Sequence, residues 1–112
     1  VELAQVMASR SDTQYDIDVF FGAWCGDSQT WLPRFMMFAY TMEYKYQQPF
    51  NNVRLYGCDR EKNCGIEGFK PEFVPTFMVY RVKNNERTLI GSVVEEPQER
   101  IENDILNIIK NN

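Results

Sequence analysis

The 112-residue sequence contains no histidine. That absence removes Ser–His–Asp and Cys–His nucleophilic catalysis, and with them the usual zinc sites. Cysteine is scarce and odd in number: Cys25, Cys58 and Cys64. A full disulfide framework is excluded, and at least one thiol is free or pairs elsewhere. Positive charge is in deficit, 12 Lys and Arg against 16 Asp and Glu, a net charge of −4. Nucleic acid would need a basic stripe, and an anionic membrane surface the same, so neither partner is expected. No apolar run is long enough to span a bilayer, and no signal peptide is visible. The chain begins at Val1; it reads as a soluble protein, cytoplasmic, or extracytoplasmic if a signal peptide was removed. Phosphate loops, N-glycosylation sequons, internal repeats and low-complexity runs are missing too.

Hydrophobic residues make up 44% and aromatics 14% of the chain. That suits a single globular domain over residues 1–112, large enough for its own core. Leu3, Val6 and Met7 are spaced for one face of a short helix within Val1 to Arg10. Tyr15 to Phe21 is the first clear strand. Asp27 to about Gln47 reads as a long helix, with Trp31, Phe35, Phe38, Met42 and Tyr46 along one stripe and Pro33 inside it. Val53 to Gly57 is a second strand, parallel to the first through that helix. Between Cys64 and Phe73, two glycines and Pro71 leave room only for a short helix. Thr76 to Val82 and Thr88 to Val94 are strands joined by an Asn84-Asn85 hairpin turn. Glu95, Glu96 and Pro97 are expected to start a last helix, with Ile101, Ile105, Ile108 and Ile109 as its buried stripe. The whole reads as α/β: a mixed sheet of about four strands, flanked by helices on both faces.

The stretch that carries chemistry is Phe20-Phe21-Gly22-Ala23-Trp24-Cys25-Gly26-Asp27-Ser28. An apolar strand ends, a glycine-containing turn follows, and a helix begins. Cys25 sits at the handover, where unpaired N–H groups and the positive end of a helix dipole favour a thiolate. Free cysteine is more often a small buried hydrophobe, but this position favours a reactive thiol. Ser28 is placed to donate to the Cys25 sulfur, or simply to cap the helix. Asp27 is placed to cap the helix start. Cys58, at the C-terminal end of the second strand, lies at the same sheet edge as Cys25. It could act as a distant resolving thiol, pair with Cys64, or do neither, so both are kept as accessory thiols. Asp59, Arg60, Glu61 and Lys62 read as a solvated loop.

These residues resemble the thioredoxin superfamily, whose signature is an apolar strand, Trp-Cys-Gly-x-Cys, and a helix with proline eight residues after the first cysteine. Trp24, Cys25, Gly26 and Pro33 fall in register. Val74-Pro75-Thr76-Phe77 looks like the family's cis-proline loop, and together these landmarks span most of the chain. The resemblance implies that Trp24, Gly26, Asp27, Val74 and Pro75 border a groove for an extended substrate. Ser28 replaces the second cysteine, and Val19 stands where such reductases commonly bury a carboxylate. Both departures remove parts of a two-thiol cycle. The Cys25-Gly26-Asp27-Ser28 run is also similar to the Cys-Gly-Phe-Ser site of monothiol glutaredoxins. Trp24 and Pro33 belong to the thioredoxin pattern instead, and the glycine pair that binds glutathione is not seen after Pro75. No cofactor and no metal is expected.

The resemblance thus implies monothiol thiol–disulfide exchange through Cys25, of oxidoreductase or isomerase type. Its partners would be protein or small-molecule thiols and disulfides. The opposing reading is a redox-inactive binding module that holds partner peptides in the Trp24 and Pro75 groove.

Overall fold

The structure is a computed structural model and describes residues 2–112. In chain order it holds α1 (Glu2–Ala8), β1 (Gln14–Phe21), α2 (Gly26–Tyr44), β2 (Asn52–Gly57), β3 (Thr76–Lys83), β4 (Glu86–Val94) and α3 (Ile101–Lys110). Val1, where the first helix was expected to start, lies outside the described residues.

The strands form one sheet in the order β2-β1-β3-β4. β1 pairs parallel to β2 and antiparallel to β3, and β3 pairs antiparallel to β4. The β1–α2–β2 crossover is the expected parallel unit. Asn84 and Asn85 both take positive φ, 54° and 62°, which a two-residue hairpin turn between right-twisted strands requires. α2 runs unbroken through Pro33 and buries Phe35, Phe38 and Met42, with Trp31 and Tyr46 packed beside them.

Strand alternation gives β1 two faces. Tyr15, Ile17 and Val19 are fully buried in the main core. That core also takes Leu3 and Met7 of α1, Phe35 and Met42 of α2, and Ile101, Ile105 and Ile109 of α3. All three helices therefore form one layer, with α3 touching both α1 and α2. This corrects the expectation of helices on both faces. The segment that was to cover the second face, between β2 and β3, contains turns and bends but no helix. Gly65 and Gly68 both hold positive φ there, breaking any helical run.

Polar groups take over much of that second face. Asp16 and Asp18 project there and are buried. Arg87 bridges them: its Nε donates to Asp16 Oδ2 at 3.1 Å, and its Nη2 lies 2.8 Å from Asp18 Oδ2. The guanidinium also stacks on Tyr80, 3.6 Å from the ring centroid. Asn51 Nδ2 and the Asn52 N–H donate to the other oxygen of Asp16. Buried carboxylates need such partners, because leaving water is costly for a charge.

The last helix starts later than expected. Glu95 takes φ 60° and donates its N–H to the Pro75 carbonyl at 2.7 Å, which keeps the chain irregular until Arg100 caps α3. Gly91 faces that helix closely. A Cβ there would lie 2.9 Å from Ile108 Cγ2.

Removing Arg87 leaves two buried carboxylates without their main partner. Because the guanidinium is partly exposed, Arg87→Ala should lower unfolding free energy by about 1–3 kcal/mol. Urea denaturation would measure this; a loss under about 0.5 kcal/mol, the scale of a bland surface substitution, would show that the pair does not hold this face.

Candidate functional site

The site lies where β1 hands over to α2. Cys25 is the N-cap of α2, with extended backbone (φ −96°, ψ 126°). Its N–H donates to the Gly22 carbonyl at 2.9 Å and its own carbonyl accepts from the Gln29 N–H at 3.0 Å. The chain thus closes a tight turn and opens the helix on the same residue. The Cys25 side chain makes no capping hydrogen bond to the helix start. The thiol is free and half-buried. Its Sγ lies 3.5 Å from the Val74 carbonyl oxygen, to which it donates.

Val74 and Pro75 are both buried, and the peptide bond between them is cis. The Pro75 carbonyl is taken by Glu95, and the Thr76 hydroxyl donates to the Phe73 carbonyl at 2.6 Å. The loop facing Cys25 is therefore held by Glu95, just past the end of β4, on one side and by its own turn on the other. Residues 25 and 74 are far apart in sequence, and the antiparallel register of β1 with β3, Phe20 opposite Thr76, brings them together.

Ser28 is buried and its Oγ accepts the Gly22 N–H at 3.1 Å. It ties the first turn of α2 back to the strand end. The hydroxyl neither caps the helix nor bonds the Cys25 sulfur. Asp27 and Gly26 are exposed in the first turn, where Asp27 complements the helix dipole without capping. Val19 is buried in the helix-side core, while Asp18 points to the opposite face and to Arg87.

Trp24 is half-buried, and its Nε1 donates to the Cys58 carbonyl at 3.0 Å. The indole lies so close to Gly22 that a Cβ there would sit 2.6 Å from Trp24 Cε2. Glycine at 22 is thus required by a neighbouring ring. Cys58 continues from β2, donating its N–H to Phe21 at 2.7 Å, and forms a disulfide with Cys64. Spacing had left that pairing open. Both sulfur residues are buried in a second apolar cluster with Phe20 and Val74, against which Trp24, Cys25 and Met78 pack. Asp59 holds the loop between them. Its carboxylate accepts from the Glu61 and Asn63 N–H groups, each at 2.9 Å.

No group of three or more His, Cys, Asp or Glu able to hold a metal occurs among the described residues. No helix there is long and apolar enough to cross a membrane. A groove of about 750 Å³ runs along α2 and the start of β2, between Met36, Tyr40, Phe50 and Val53. Trp24, Cys25, Val74 and Pro75 do not line it. Sequence patterning had assigned the α2 stripe to the core and left this outer face, with Met37 and Tyr40 exposed, unremarked.

A mixed four-stranded sheet, with a cysteine at the central strand-to-helix junction beside a cis-proline loop, defines a thioredoxin-like fold. Solved structures agree on the fold. The germline-specific thioredoxin Deadhead of Drosophila melanogaster superposes with a TM-score of 0.56 at 18% identity, over 92% of this chain and 88% of that one. A Trichomonas vaginalis thioredoxin gives 0.53 at 18% identity, over 93% and 87%. No protein-family model and no curated protein matches the sequence.

Two outcomes follow. Gly22→Ala must push the indole off its place. It should cost about 1–3 kcal/mol, as overpacking does, and shift tryptophan fluorescence; an unchanged spectrum and stability would mean the ring contact is not tight. Hydrogen bonds from the Asn63 backbone hold the Asp59 carboxyl below its ordinary value of 3.8. A lowered folded pKa means the loop is fully supported above 3.8 and loses that support as pH falls through the lower folded value. NMR titration should show Asp59 and the Asn63 amide moving together, with a midpoint below 3.8; a midpoint at or above it would deny the carboxylate that role.

Proposed function

We propose that residues 1–112 form one thioredoxin-like domain that carries out monothiol thiol–disulfide exchange through Cys25. The observation that carries this reading is the free, half-buried thiol at the N-terminus of α2, 3.5 Å from the Val74 carbonyl. The Cys25 thiolate attacks one sulfur of a substrate disulfide. A new S–S bond forms to Cys25, and the other substrate sulfur leaves as a thiolate with the electron pair. Ser28 has no thiol, so a second cysteine of the substrate or an external thiol attacks the mixed disulfide and frees Cys25. Isomerisation needs no other reactant; net reduction needs the external thiol. Trp24, Gly26, Asp27, Val74 and Pro75 border the groove in which an extended partner would lie. Ser28 supports the nucleophile indirectly, by holding the Gly22 turn that sets Cys25 at the helix start.

One observation favours the binding-module reading instead. The Ser28 hydroxyl is engaged by Gly22 and gives the sulfur no hydrogen bond. On that reading the Trp24 and Pro75 groove holds partner peptides, and the thiol is incidental.

Incubation of the native protein with glutathione disulfide separates the two. Exchange should yield one mixed disulfide at Cys25, identified by mass spectrometry, reversed by excess thiol and absent in Cys25→Ser. A folded protein that forms no adduct, while its unfolded chain does, would leave only the binding module.

A further inference from the structure

The charged run after β2 has the sequence of a solvated loop, but it is built into the wall of the Cys25 site. Asp59 orders its backbone, accepting from Glu61 and Asn63 and donating its own N–H to the Asn63 carbonyl at 3.1 Å. The Cys58–Cys64 disulfide closes the loop at its base. The Trp24 indole N–H bonds to the Cys58 carbonyl, so ring and loop are joined at one edge. From this frame Arg60 extends over the ring, its guanidinium carbon 5.4 Å from the centroid.

Arg60 has no salt-bridge partner among the described residues, although Asp59 and Glu61 flank it in sequence. The Asp59 carboxylate is instead turned to the loop amides and Asn63. A guanidinium lying on an aromatic ring is attracted by the ring face while its N–H donors remain directed outward in its own plane. Those donors form a fork that matches a carboxylate. Trp24 immediately precedes Cys25, and both residues pack on the same apolar cluster, so the ring that Arg60 covers belongs to the surroundings of the half-buried thiol. Asp27, exposed in the first turn of α2 two residues after Cys25, carries the opposite charge. The site is thus polarised and not uniformly positive.

We propose that Arg60 is a specificity-determining residue of the Cys25 site, selecting disulfides that carry a carboxylate close to the reacting sulfur. This rests on the reading of Cys25 as a nucleophile. The chemistry is unchanged: the Cys25–substrate bond forms, the substrate S–S bond breaks, and the departing sulfur leaves as a thiolate. Arg60 acts on which disulfide reaches the sulfur, holding the carboxylate of the half that becomes attached. Its partner class is the acidic peptide or small carboxylated disulfide, in a protein whose own net charge of −4 would otherwise repel it.

The test compares two probes on the full chain with its Cys58–Cys64 disulfide intact. Dithiobis(nitrobenzoate) carries a carboxylate on each half; dithiodipyridine carries none. The ratio of their rate constants at Cys25 cancels the intrinsic nucleophilicity of the thiol. Arg60→Gln should lower the anionic-to-neutral ratio by about 3–10-fold, and the gap should narrow with added salt, as a steering charge at a surface site does. Arg60→Lys should restore part of it, keeping the charge without the fork. A ratio unchanged in Arg60→Gln overturns the proposal while leaving Cys25 a nucleophile. No reaction of either probe with folded wild-type protein overturns the nucleophile reading, and this one with it.

Discussion

The alternation of side chains along β1 is the constraint on which the rest of the structure depends. It is the one strand that is followed directly by the helix bearing Cys25, and it is paired on both sides. Tyr15, Ile17 and Val19 enter the core beneath the helices, while Asp16, Asp18 and Phe20 face the other way. A slip of one residue would exchange the two sets, placing carboxylates under the helices and Tyr15, Ile17 and Val19 against arginines. The same register fixes the site, because Phe20 pairs with Thr76 and so brings the Val74–Pro75 loop to the end of β1.

The two faces of the sheet are stabilised by different physics. On the helix side, burial of large apolar side chains dominates, with Phe35, Phe77 and Met42 fully enclosed. On the other side no helix among the described residues covers the sheet. Near the hairpin, Arg87 and Tyr80 answer the two aspartates; near the site, a disulfide-tied loop packs on Phe20. A disulfide suits that place, because a helix-free segment buries less apolar surface and gains from restriction of its unfolded ensemble. It also brings a charged loop against Trp24 that a solvent-facing reading of its sequence would leave free.

At the site, backbone geometry does most of the positioning. Gly22 receives the indole and donates to Ser28; Cys25 closes the turn and caps the helix; Pro75 is held by Glu95. The one thiol at this junction is therefore set by three short-range constraints and one long-range pairing. Ser28 brings no second thiol to this junction; its hydroxyl accepts from Gly22 and so serves the turn.

Much of this was legible in the residues, and each legible part has a local cause. The apolar run before Gly22, the stripe Phe35, Phe38, Met42 and the Asn84-Asn85 turn follow from periodicity and from φ preferences, which act over a few residues. The missing helices of the second face did not, since Gly65, Gly68 and Pro71 only shorten a helix until burial decides whether one forms. Glu95 and Pro97 carry good helix-start chemistry, yet the Glu95 N–H is claimed by Pro75 across the sheet, and α3 begins at Ile101. Cys58 and Cys64 were a pair only by possibility, because spacing does not give Cβ direction. The Ser28–Gly22 bond and the place of Arg60 over the Trp24 ring depend on where a turn and a loop meet. Sequence alone determined the strand–cysteine–helix order and the class of fold, because those rest on local pattern. Tertiary structure decided which face was covered, which sulfurs joined and which charge came over the Trp24 ring, because those depend on segments distant in the chain arriving at one place.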